Sequence, residues 1–563
     1  MKEFFGKIKD DLGWFFSQKI YVVALAITAI CSYGFEITHV SIGIDDTAVE
    51  LYLEDGLEVV MGRWTVFLMN KLFHLSSYAP YMLELVGVLL FALGITLFCV
   101  LLRRLLGDKI DIRGYTLFAC IFISNPIISE IYVYYYHDGS DLAYVFTGIA
   151  LLCFLKAVDF ENAGKRDKKQ SIRQKIFQGK FPWFLLSMLF AWAAVGCYES
   201  FLILYILGIL TILFLCGMTG RRRLSVAFVL KNLCIGAVLC AGCIVLRSVM
   251  ISLVTAVFGL QDAQGILPTR SLSEMLVLFS GSDGLRELVM LAKRFWLVYH
   301  VNAIVYLPIT GFEFATIFVV CLSVYLAVRK KNLWYPVLFA GMMIATFLLT
   351  VAEARITGYR SCQFLPFFTA FGCLLFYLKM SGGKWRRYAA LALALILIYN
   401  QAEFMNRSFY VDYQKYESTR EILNQIAFEI EAEYGTDTPI LFVGHYSTPK
   451  ELCKDFYVSR DSWKYQLISA ITDPVDEHLK EKYHTWDGYS FGGEALNPLI
   501  QWGFIAFDGT NRELIKFMEM HGHSFKYVKD PETIKKGKEI GDTMPGWPAE
   551  GSVTRQDGYI LIH

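Results

Sequence analysis

Two adjacent aspartates, Asp45 and Asp46, follow the first long apolar stretch of the sequence and are the first candidates for a chemical centre. A carboxylate is costly inside a bilayer and inexpensive at its surface, so this pair can act on a substrate that the membrane delivers. One aspartate can accept a proton from a substrate hydroxyl while the other orients or binds the substrate. A lipid-linked molecule is the natural candidate substrate.

The role of the pair depends on which residue begins the next helix. Thr47 and Glu50 have the spacing of a capping box, which predicts a helix that starts at Thr47 and leaves both aspartates available for chemistry. In the alternative interpretation, Asp46 itself caps the helix and Asp45 is only solvated.

Arginines form the second group of candidates. Arg355 and Arg360 lie between two late apolar stretches, and Arg63 follows the aspartates in the first long loop. Guanidinium groups at a membrane surface can bind a lipid phosphate with bidentate geometry and stabilise it as a leaving group. The alternative is that Arg355 and Arg360 pair with Glu353 or extend toward lipid headgroups.

A third group combines aromatic rings with polar side chains, which suits a sugar because its CH face stacks on a ring while its hydroxyls form hydrogen bonds. The residues that we assign to sugar or acceptor contact are His137, Asp138, Asp141, Glu199 and Trp64. In the alternative, the tyrosines that precede His137 form an interfacial aromatic belt. His137, Asp138 and Asp141 can also contribute to a metal site, although three loop residues make a weak metal signal. Glu199 lies where two short apolar stretches meet and either faces a cavity or bonds the broken backbone.

The elements that must position these residues are membrane helices. The chain has 563 residues, of which 55% are hydrophobic and only 19% charged. This composition is too apolar for a soluble protein of this size and predicts a polytopic α-helical membrane protein. A net charge of +1 argues against nucleic acid as a partner.

Apolar runs of roughly 17 to 25 residues predict about eleven transmembrane helices. The predicted spans are Ile20–Ile37, Pro80–Leu102, Gly114–Tyr132, Leu142–Val158, Trp183–Cys197, Ser200–Met218, Ala227–Phe258, Ala303–Val328, Tyr335–Ala352, Cys362–Lys379 and Tyr388–Ala402.

Lysine and arginine are concentrated in alternate loops, which predicts the orientation by the positive-inside rule. The basic loops, which we expect to be cytoplasmic, are 103–113, 165–180, 221–223, 329–331 and 379–387. An odd number of spans then places the N-terminus in the cytoplasm and the C-terminal part outside. Asp45 and Asp46, and the turn that carries Arg355 and Arg360, fall on the outer face.

Beyond the last predicted span the sequence becomes rich in charged residues, and its hydrophobic residues follow helical spacing in some segments and strand spacing in others. We predict a transmembrane domain over residues 1–402 and an extracytoplasmic soluble domain over residues 403–563. A helical stretch is predicted at Tyr413–Tyr434, and apolar strands at Pro439–Gly444, Gly503–Phe507 and Gly558–His563. This alternation predicts a small α/β domain.

Taken together, these residues resemble the Gtr II-type glucosyltransferase family, within the GT-C superfamily of polytopic glycosyltransferases. The resemblance extends over about Phe16–Ile430 and rests on several short segments. Their order along the chain and their positions relative to the predicted membrane spans both match the family. These segments are Asp45-Asp46 through Gly62-Arg63-Trp64, Asn125-Pro126 to Tyr132, Tyr198-Glu199-Ser200, and Tyr399-Asn400-Gln401 leading to Asn406, Tyr410 and Asp412. The tail around Met544–Pro548 is similar to tails of Gram-positive members.

The resemblance implies transfer of a sugar, typically glucose, from a polyprenyl phosphate carrier to an acceptor glycan at the bacterial cell membrane. It implies an inverting displacement with Asp45 or Asp46 as the base, and Arg355 or Arg360 near the donor phosphate. Arginine, or a divalent cation such as Mg²⁺ or Mn²⁺, balances the charge on the departing phosphate. No metal ligands are assigned.

The resemblance also bears on the partners. Family members that modify O-antigen work alongside a carrier-sugar synthase and a flippase. The Gram-positive-like tail makes teichoic acid or another wall polysaccharide the alternative acceptor.

Two other classes of function remain open. An envelope polysaccharide polymerase or ligase would share the helices and the outer arginines, but we would expect a large basic outer loop that the sequence lacks. A non-enzymatic transporter of lipid-linked glycans predicts paired repeats and ionisable residues near the bilayer midplane. Neither of these patterns stands out in the sequence.

Overall fold

The structure, a computed structural model, describes residues 2–42, 46, 56–73, 79–132, 139–159, 179–260, 284–285, 288–289, 292, 311–353, 361–444, 466, 470 and 510–563. These residues are mostly helical, with several long apolar helices, as expected of a polytopic membrane protein. The helices are α1 (Lys2–Ser17), α2 (Lys19–Thr38), α3 (Leu57–Val60), α4 (Trp64–Phe73), α5 (Pro80–Leu106), α6 (Ile112–Ile123), α7 (Ser129–Tyr132), α8 (Ser140–Asp159), α9 (Phe181–Val195), α10 (Phe201–Thr219), α11 (Val226–Phe258), α12 (Phe312–Lys330), α13 (Trp334–Glu353), α14 (Phe364–Met380), α15 (Lys384–Glu433), α16 (Arg512–Met520) and α17 (Pro531–Gly541).

Within the described ranges, seven helices are long and apolar enough to cross a membrane, namely α2, α5, α8, α10, α11, α12 and α15. The shorter apolar helices α6, α9, α13 and α14 overlap other predicted spans. Helix α11 leaves large apolar side chains exposed, including Val238, Val245 and Val257. Such an apolar face matches a lipid environment, in which a helix satisfies its own backbone hydrogen bonds. The total of about eleven crossings stays a prediction.

One predicted span differs from a continuous helix. The stretch Gly114–Tyr132 breaks after Ile123 and continues as a 3₁₀ turn, Pro126–Ile128, and the short helix α7. The reason is Pro126, whose nitrogen carries no hydrogen to donate to the preceding turn. Asn125 caps the new turn, since its side-chain oxygen accepts a hydrogen bond from the backbone nitrogen of Ile127 at 3.2 Å.

Glycines allow helices to approach closely in the middle of the bundle. A Cβ atom on Gly94 would lie 2.7 Å from the Cβ of Tyr144, and one on Gly148 would lie 2.8 Å from the Cβ of Leu97. Small residues at such contacts are typical of membrane helix pairs. The two contacts also show that α5 and α8 run in the same direction, as the alternation of predicted spans requires.

Basic side chains from several loops meet at one end of the bundle. Arg103 and Arg104 pair with Asp11 of α1 at 2.9 and 2.8 Å. Arg221 pairs with Asp159, and Lys330 donates to the carbonyl of Gly217 at 2.8 Å. The predicted basic loops 103–113, 221–223 and 329–331 therefore lie together, whereas most of loop 165–180 lies outside the described residues. Which side of the membrane this end faces stays a prediction.

The C-terminal part contains a small sheet attached to the longest helix. Its strands are β1 (Ile440–Phe442), β2 (Val553–Arg555) and β3 (Ile560–Ile562), in the order β1-β3-β2. β1 and β3 are parallel, with Ile440 opposite Ile560, and β2 is antiparallel to β3. Strands β1 and β3 lie within the predicted strands Pro439–Gly444 and Gly558–His563. The third predicted strand, Gly503–Phe507, lies outside the described residues.

Helix α15 continues across the predicted domain boundary at residue 402. Its buried residues Leu423, Ile426 and Ile430 pack in one apolar core with β1, β3 and α16. The last predicted span and the predicted helix Tyr413–Tyr434 are therefore parts of one helix.

Candidate functional site

Asp46 lies in a group of acidic side chains near the end of α2. Asp46 is 2% exposed, and Glu36 in the last part of α2 is 4% exposed. Glu36 interacts electrostatically with Asp46, with Glu84 of α5 and with Asp412 of α15. We call Glu36, Asp46, Glu84 and Asp412 the carboxylate cluster. Asp46 is thus a buried carboxylate with acidic neighbours, an environment that is common at functional sites.

A hydrogen bond links the segment before Asp46 to helix α15. The Ser41 hydroxyl donates to Oδ2 of Asp412 at 2.5 Å, and Nζ of Lys415 lies 3.9 Å from Oδ1 of the same carboxylate. Asp412 belongs to the last of the sequence segments that carry the family resemblance. The chain just before the first of these segments therefore contacts the last one, although the two are far apart in the sequence.

Arg63 lies in a second part of the site, against the turn between α9 and α10. Its guanidinium carbon is 4.4 Å from the centre of the Tyr198 ring. The Tyr198 hydroxyl lies 3.1 Å from the Ser361 hydroxyl, and either group can donate. Ser361 follows Arg360 in the sequence. Tyr198 therefore links Arg63 of the first long loop to the segment that comes directly after the predicted arginine turn.

The loop that carries Arg63 is held by close backbone packing. Gly62 has φ +86°, a conformation that favours glycine, and an added Cβ would lie 1.7 Å from Nη2 of Arg247. The same Nη2 donates to the carbonyl of Met61 at 2.7 Å. The Trp64 ring stacks on Trp192 with centroids 4.5 Å apart. These contacts fix the backbone of Arg63 against α9 and α11.

The turn at Gly196 completes this scaffold. The Thr65 backbone nitrogen donates to the Gly196 carbonyl at 2.9 Å. A Cβ on Gly196 would lie 2.4 Å from atoms of both Trp64 and Thr65. The absence of a side chain at Gly196 therefore lets the first loop reach the α9–α10 turn, where Tyr198 meets Arg63.

The structure describes some of the remaining predicted site residues and not others. Asp141 lies in the first turn of α8, where its Oδ1 accepts from the backbone nitrogen of Leu142 at 2.8 Å. Glu199 is half-buried, and its buried Oε2 has no hydrogen-bond partner among the described residues. Trp64 is buried against Trp192, and its role in sugar contact stays a prediction. The predicted site residues outside the described ranges are Asp45, His137, Asp138, Arg355 and Arg360.

Glu36 and Glu84 were not among the predicted site residues. Each is an acidic residue within an apolar stretch that was predicted to span the membrane. Ionisable residues inside membrane helices are rare and mark functional positions, so this signal was present in the sequence. No sequence pattern indicates that Glu36 interacts with Glu84, Asp46 and Asp412, because that depends on how distant helices pack.

No three histidine, cysteine, aspartate or glutamate side chains lie close enough to hold a metal ion within the part of the chain that the structure describes. A divalent cation near the donor phosphate therefore stays an untested prediction.

Comparison with known proteins gives one match. A family model described as Glucosyl transferase GtrII matches residues 34–377. The matched region includes Glu36, Asp46, Arg63, Glu84 and Tyr198, so both parts of the candidate site fall largely within it. No curated protein and no solved structure matches the chain.

Proposed function

The chain belongs to the GtrII glucosyltransferase family, and we propose that it moves a glucosyl group from a polyprenyl phosphate carrier to a cell-surface glycan. The family establishes a glycosyltransferase, and the apolar helices establish a membrane protein. The carrier, the acceptor and the mechanism are our proposal. We infer that the reaction takes place on the outer face of a bacterial cell membrane.

The reaction is a single inverting displacement. The acceptor oxygen forms a bond to the anomeric carbon of the sugar while the bond from that carbon to the carrier phosphate oxygen breaks. An aspartate of the first outer loop, Asp45 or Asp46, takes the acceptor proton, and the carrier phosphate leaves with the bonding electrons. General base catalysis of this kind contributes about 10²- to 10⁴-fold.

The contact between Arg63, Tyr198 and Ser361 is the observation that carries the proposal. Tyr198 links the two segments, because its ring contacts the Arg63 guanidinium and its hydroxyl contacts Ser361, the residue that follows Arg360. This supports a role for Arg63, and for the arginine turn, at one phosphate of the donor. A cation held there stabilises the charge that develops on the leaving phosphate.

The carboxylate cluster supports the choice of Asp46 as the base. Nearby negative charges make a carboxylate a better proton acceptor, because they stabilise its protonated form relative to its ionised form. Glu36 of α2, which interacts electrostatically with Asp46, supplies such a charge when it is ionised. Asp45 stays the alternative, and single substitutions distinguish the two.

The test uses the purified full chain in detergent or vesicles with a polyprenyl-phosphate glucose donor. Teichoic acid, another wall polysaccharide and O-antigen are supplied separately as acceptors. We expect the free carrier phosphate to be released only when one of the acceptors is present. The product should carry the sugar with the anomeric configuration opposite to that of the donor. If no donor sugar is transferred to any acceptor, the transferase proposal is wrong.

The same experiment separates the rival functions. A polymerase or ligase would extend or attach a whole glycan rather than add one sugar, which the size of the product shows. A transporter would move a labelled lipid-linked glycan across a vesicle membrane without releasing carrier. We expect a carrier-sugar synthase and a flippase to act upstream, since the donor must be made and then exposed on the outer face.

A further inference from the structure

The C-terminal part of the chain carries a cleft that the reaction above does not use. Its volume is about 420 Å³, within the range of known small-molecule sites. One wall is helix α17, and the charged residues along the cleft are Lys529, Lys535, Lys538, Glu539 and Asp542. The family model ends at residue 377, so membership of the family assigns no role to this cleft.

Helix α17 is held closely against the small sheet. At Gly537 an added Cβ would lie 2.3 Å from a side-chain atom of Leu441 in β1, so a glycine allows this close approach. Ile534 is 7% exposed and packs in the same apolar cluster as Leu441. Lys535 and Lys538 are exposed, and they are neighbours on the helix surface because they lie three residues apart. Packing against the sheet therefore sets the position of the wall that carries these two lysines.

Three lysines give the cleft a local excess of positive charge. None of Lys529, Lys535 and Lys538 forms an ion pair with an acid in the part of the chain that the structure describes. The Lys529 nitrogen lies 5.1 Å from the centre of the Tyr527 ring, a cation–π contact that orders its side chain. Cations gathered in a concave surface focus the electrostatic potential, so the cleft attracts an anion.

Two carboxylates line the same cleft toward the C-terminal end of α17. Asp542, which follows the helix, lies about 10 Å along the helix axis from Lys535. Carboxylates accept hydrogen bonds from hydroxyl groups, which ammonium groups cannot do. A ligand that carries both a phosphate and free hydroxyls therefore fits this lining, with its phosphate at the lysines and its hydroxyls at Glu539 and Asp542.

The cleft and the first loop lie on opposite faces of the sheet. Leu441 and Leu561 pack on the side of α17, whereas Ile440 and Ile562 pack in the core that includes residues of α15 and α16. Ile42 of the first loop packs against that second core. A molecule bound in the cleft is thus held on the enzyme but outside the proposed reaction site, and only an extended polymer reaches from one to the other.

We propose that the cleft binds an acceptor polymer with phosphate groups in its backbone. The lysines contact one phosphodiester, and Glu539 and Asp542 accept hydrogen bonds from hydroxyls of an adjoining unit. The inference rests on the proposed function and, among the acceptors considered there, selects a phosphate-linked polymer over a neutral glycan. Binding at this second site raises the effective concentration of the polymer at the reaction site, so it lowers the KM for long acceptors and leaves kcat unchanged.

Binding is measured on the purified full chain in detergent, with poly(glycerol phosphate) as the probe and dextran as a neutral polymer. We expect the wild type to bind poly(glycerol phosphate) more tightly than dextran. Lys535→Gln/Lys538→Gln should weaken that binding about three- to tenfold, because two exposed charge contacts are lost. The matched control is Lys526→Gln/Lys536→Gln, which removes the same charge from positions that do not line the cleft and should bind as the wild type does.

Three results overturn the proposal. The first is equal weakening in the control variant, which would show that surface charge alone attracts the polymer. The second is dextran binding as tight as that of poly(glycerol phosphate). The third is tighter binding of short-chain phosphatidylglycerol than of the polymer at the same lysines, which would assign the cleft to a lipid headgroup. Equal melting temperatures of the variants show that folding is not the cause.

Transfer kinetics separate this proposal from the proposed function. With poly(glycerol phosphate) as the acceptor, Lys535→Gln/Lys538→Gln should raise KM about three- to tenfold at unchanged kcat, whereas the KM for a single glycerol phosphate unit should not change. If polymer binding needs the cleft lysines but no sugar is transferred, the proposed function fails alone. If sugar is transferred to the polymer and neither binding nor KM depends on these lysines, the cleft proposal is wrong.

Discussion

The guanidinium carbon of Arg63 lies 4.4 Å from the centre of the Tyr198 ring, so a cation of the first loop rests on an aromatic face of the α9–α10 turn. An arginine can stack there and still direct planar N–H groups at a phosphate, which a lysine cannot do. The tyrosine hydroxyl in turn contacts Ser361. Arg63 is therefore placed by its neighbours and is not a freely moving surface charge.

Replacing Arg63 should affect the rate of transfer more than the stability of the fold. We expect Arg63→Ala to lower kcat about 10²- to 10³-fold, because one electrostatic stabiliser of the leaving phosphate is lost. Arg63→Lys should recover only part of this, since it keeps the charge and loses the planar stacking. Steady-state kinetics with a polyprenyl-phosphate glucose donor measure both. Arg407→Lys is the control, because Arg407 forms an exposed ion pair with Glu403, and it should leave kcat unchanged.

Asp46→Asn should lower kcat/KM about 10²- to 10⁴-fold, because an amide cannot accept the acceptor proton. The measurement is acceptor-dependent release of carrier phosphate by the purified variant, next to Asp45→Asn prepared in the same way. If Asp45→Asn loses activity and Asp46→Asn does not, the base is Asp45. If neither change lowers activity tenfold in folded protein, neither first-loop aspartate is the base.

Gly62→Ala should destabilise the protein and misplace Arg63. The backbone at Gly62 has φ +86°, and the new Cβ would meet the Arg247 guanidinium at 1.7 Å. We expect a loss of about 1–3 kcal/mol in the free energy of unfolding, seen as a lower melting temperature in detergent. Gly13→Ala is the control, because nothing lies within 4 Å of its added Cβ. An unchanged melting temperature for Gly62→Ala would contradict this account of the loop.

Asn511→Ala should loosen the C-terminal sheet. The Asn511 side chain accepts a hydrogen bond from the Phe442 backbone nitrogen at 2.9 Å and donates one to the Phe442 carbonyl at 3.2 Å. Removing both leaves buried backbone groups unsatisfied, which costs about 1–3 kcal/mol for each group. Hydrogen exchange should become faster in β1, and Asn511→Asp should also speed it, because its second oxygen would face the Phe442 carbonyl oxygen instead of donating to it. Unchanged exchange in both variants would show that Asn511 does not hold the strand.

Much of the helical part could be predicted from the sequence. The apolar run Ile20–Ile37 corresponds to α2 (Lys19–Thr38), and Ala227–Phe258 corresponds to α11 (Val226–Phe258). The agreement follows from the physical requirement that a membrane helix be apolar over its whole length. The break at Pro126 was equally visible in the sequence, although the predicted span ran through it.

The arrangement of the site could be predicted less well. Ser41 and Asp412 are 371 positions apart, and no local pattern relates them. Arg63 and Tyr198 were each identified as part of a sequence segment, yet their contact depends on close packing at Gly62 and Gly196. Local sequence identifies residue types and periodicity, whereas the meeting of loops depends on how the helices pack around them.

Helix α15 has a mechanical consequence for the enzyme. It runs without interruption from Lys384 to Glu433, contains neither proline nor glycine, and is about 75 Å long, whereas the hydrocarbon core of a bilayer is about 30 Å thick. Sharp bends in helices need proline, glycine or a bulge, so we expect this helix to be stiff. Near its C-terminal end, Ile430 packs in the apolar core against the sheet, and Asp412 lies on the same helix nearer its N-terminal end. Force applied to the C-terminal sheet would therefore be transmitted along this helix to Asp412, whose carboxylate contacts Ser41 near Asp46.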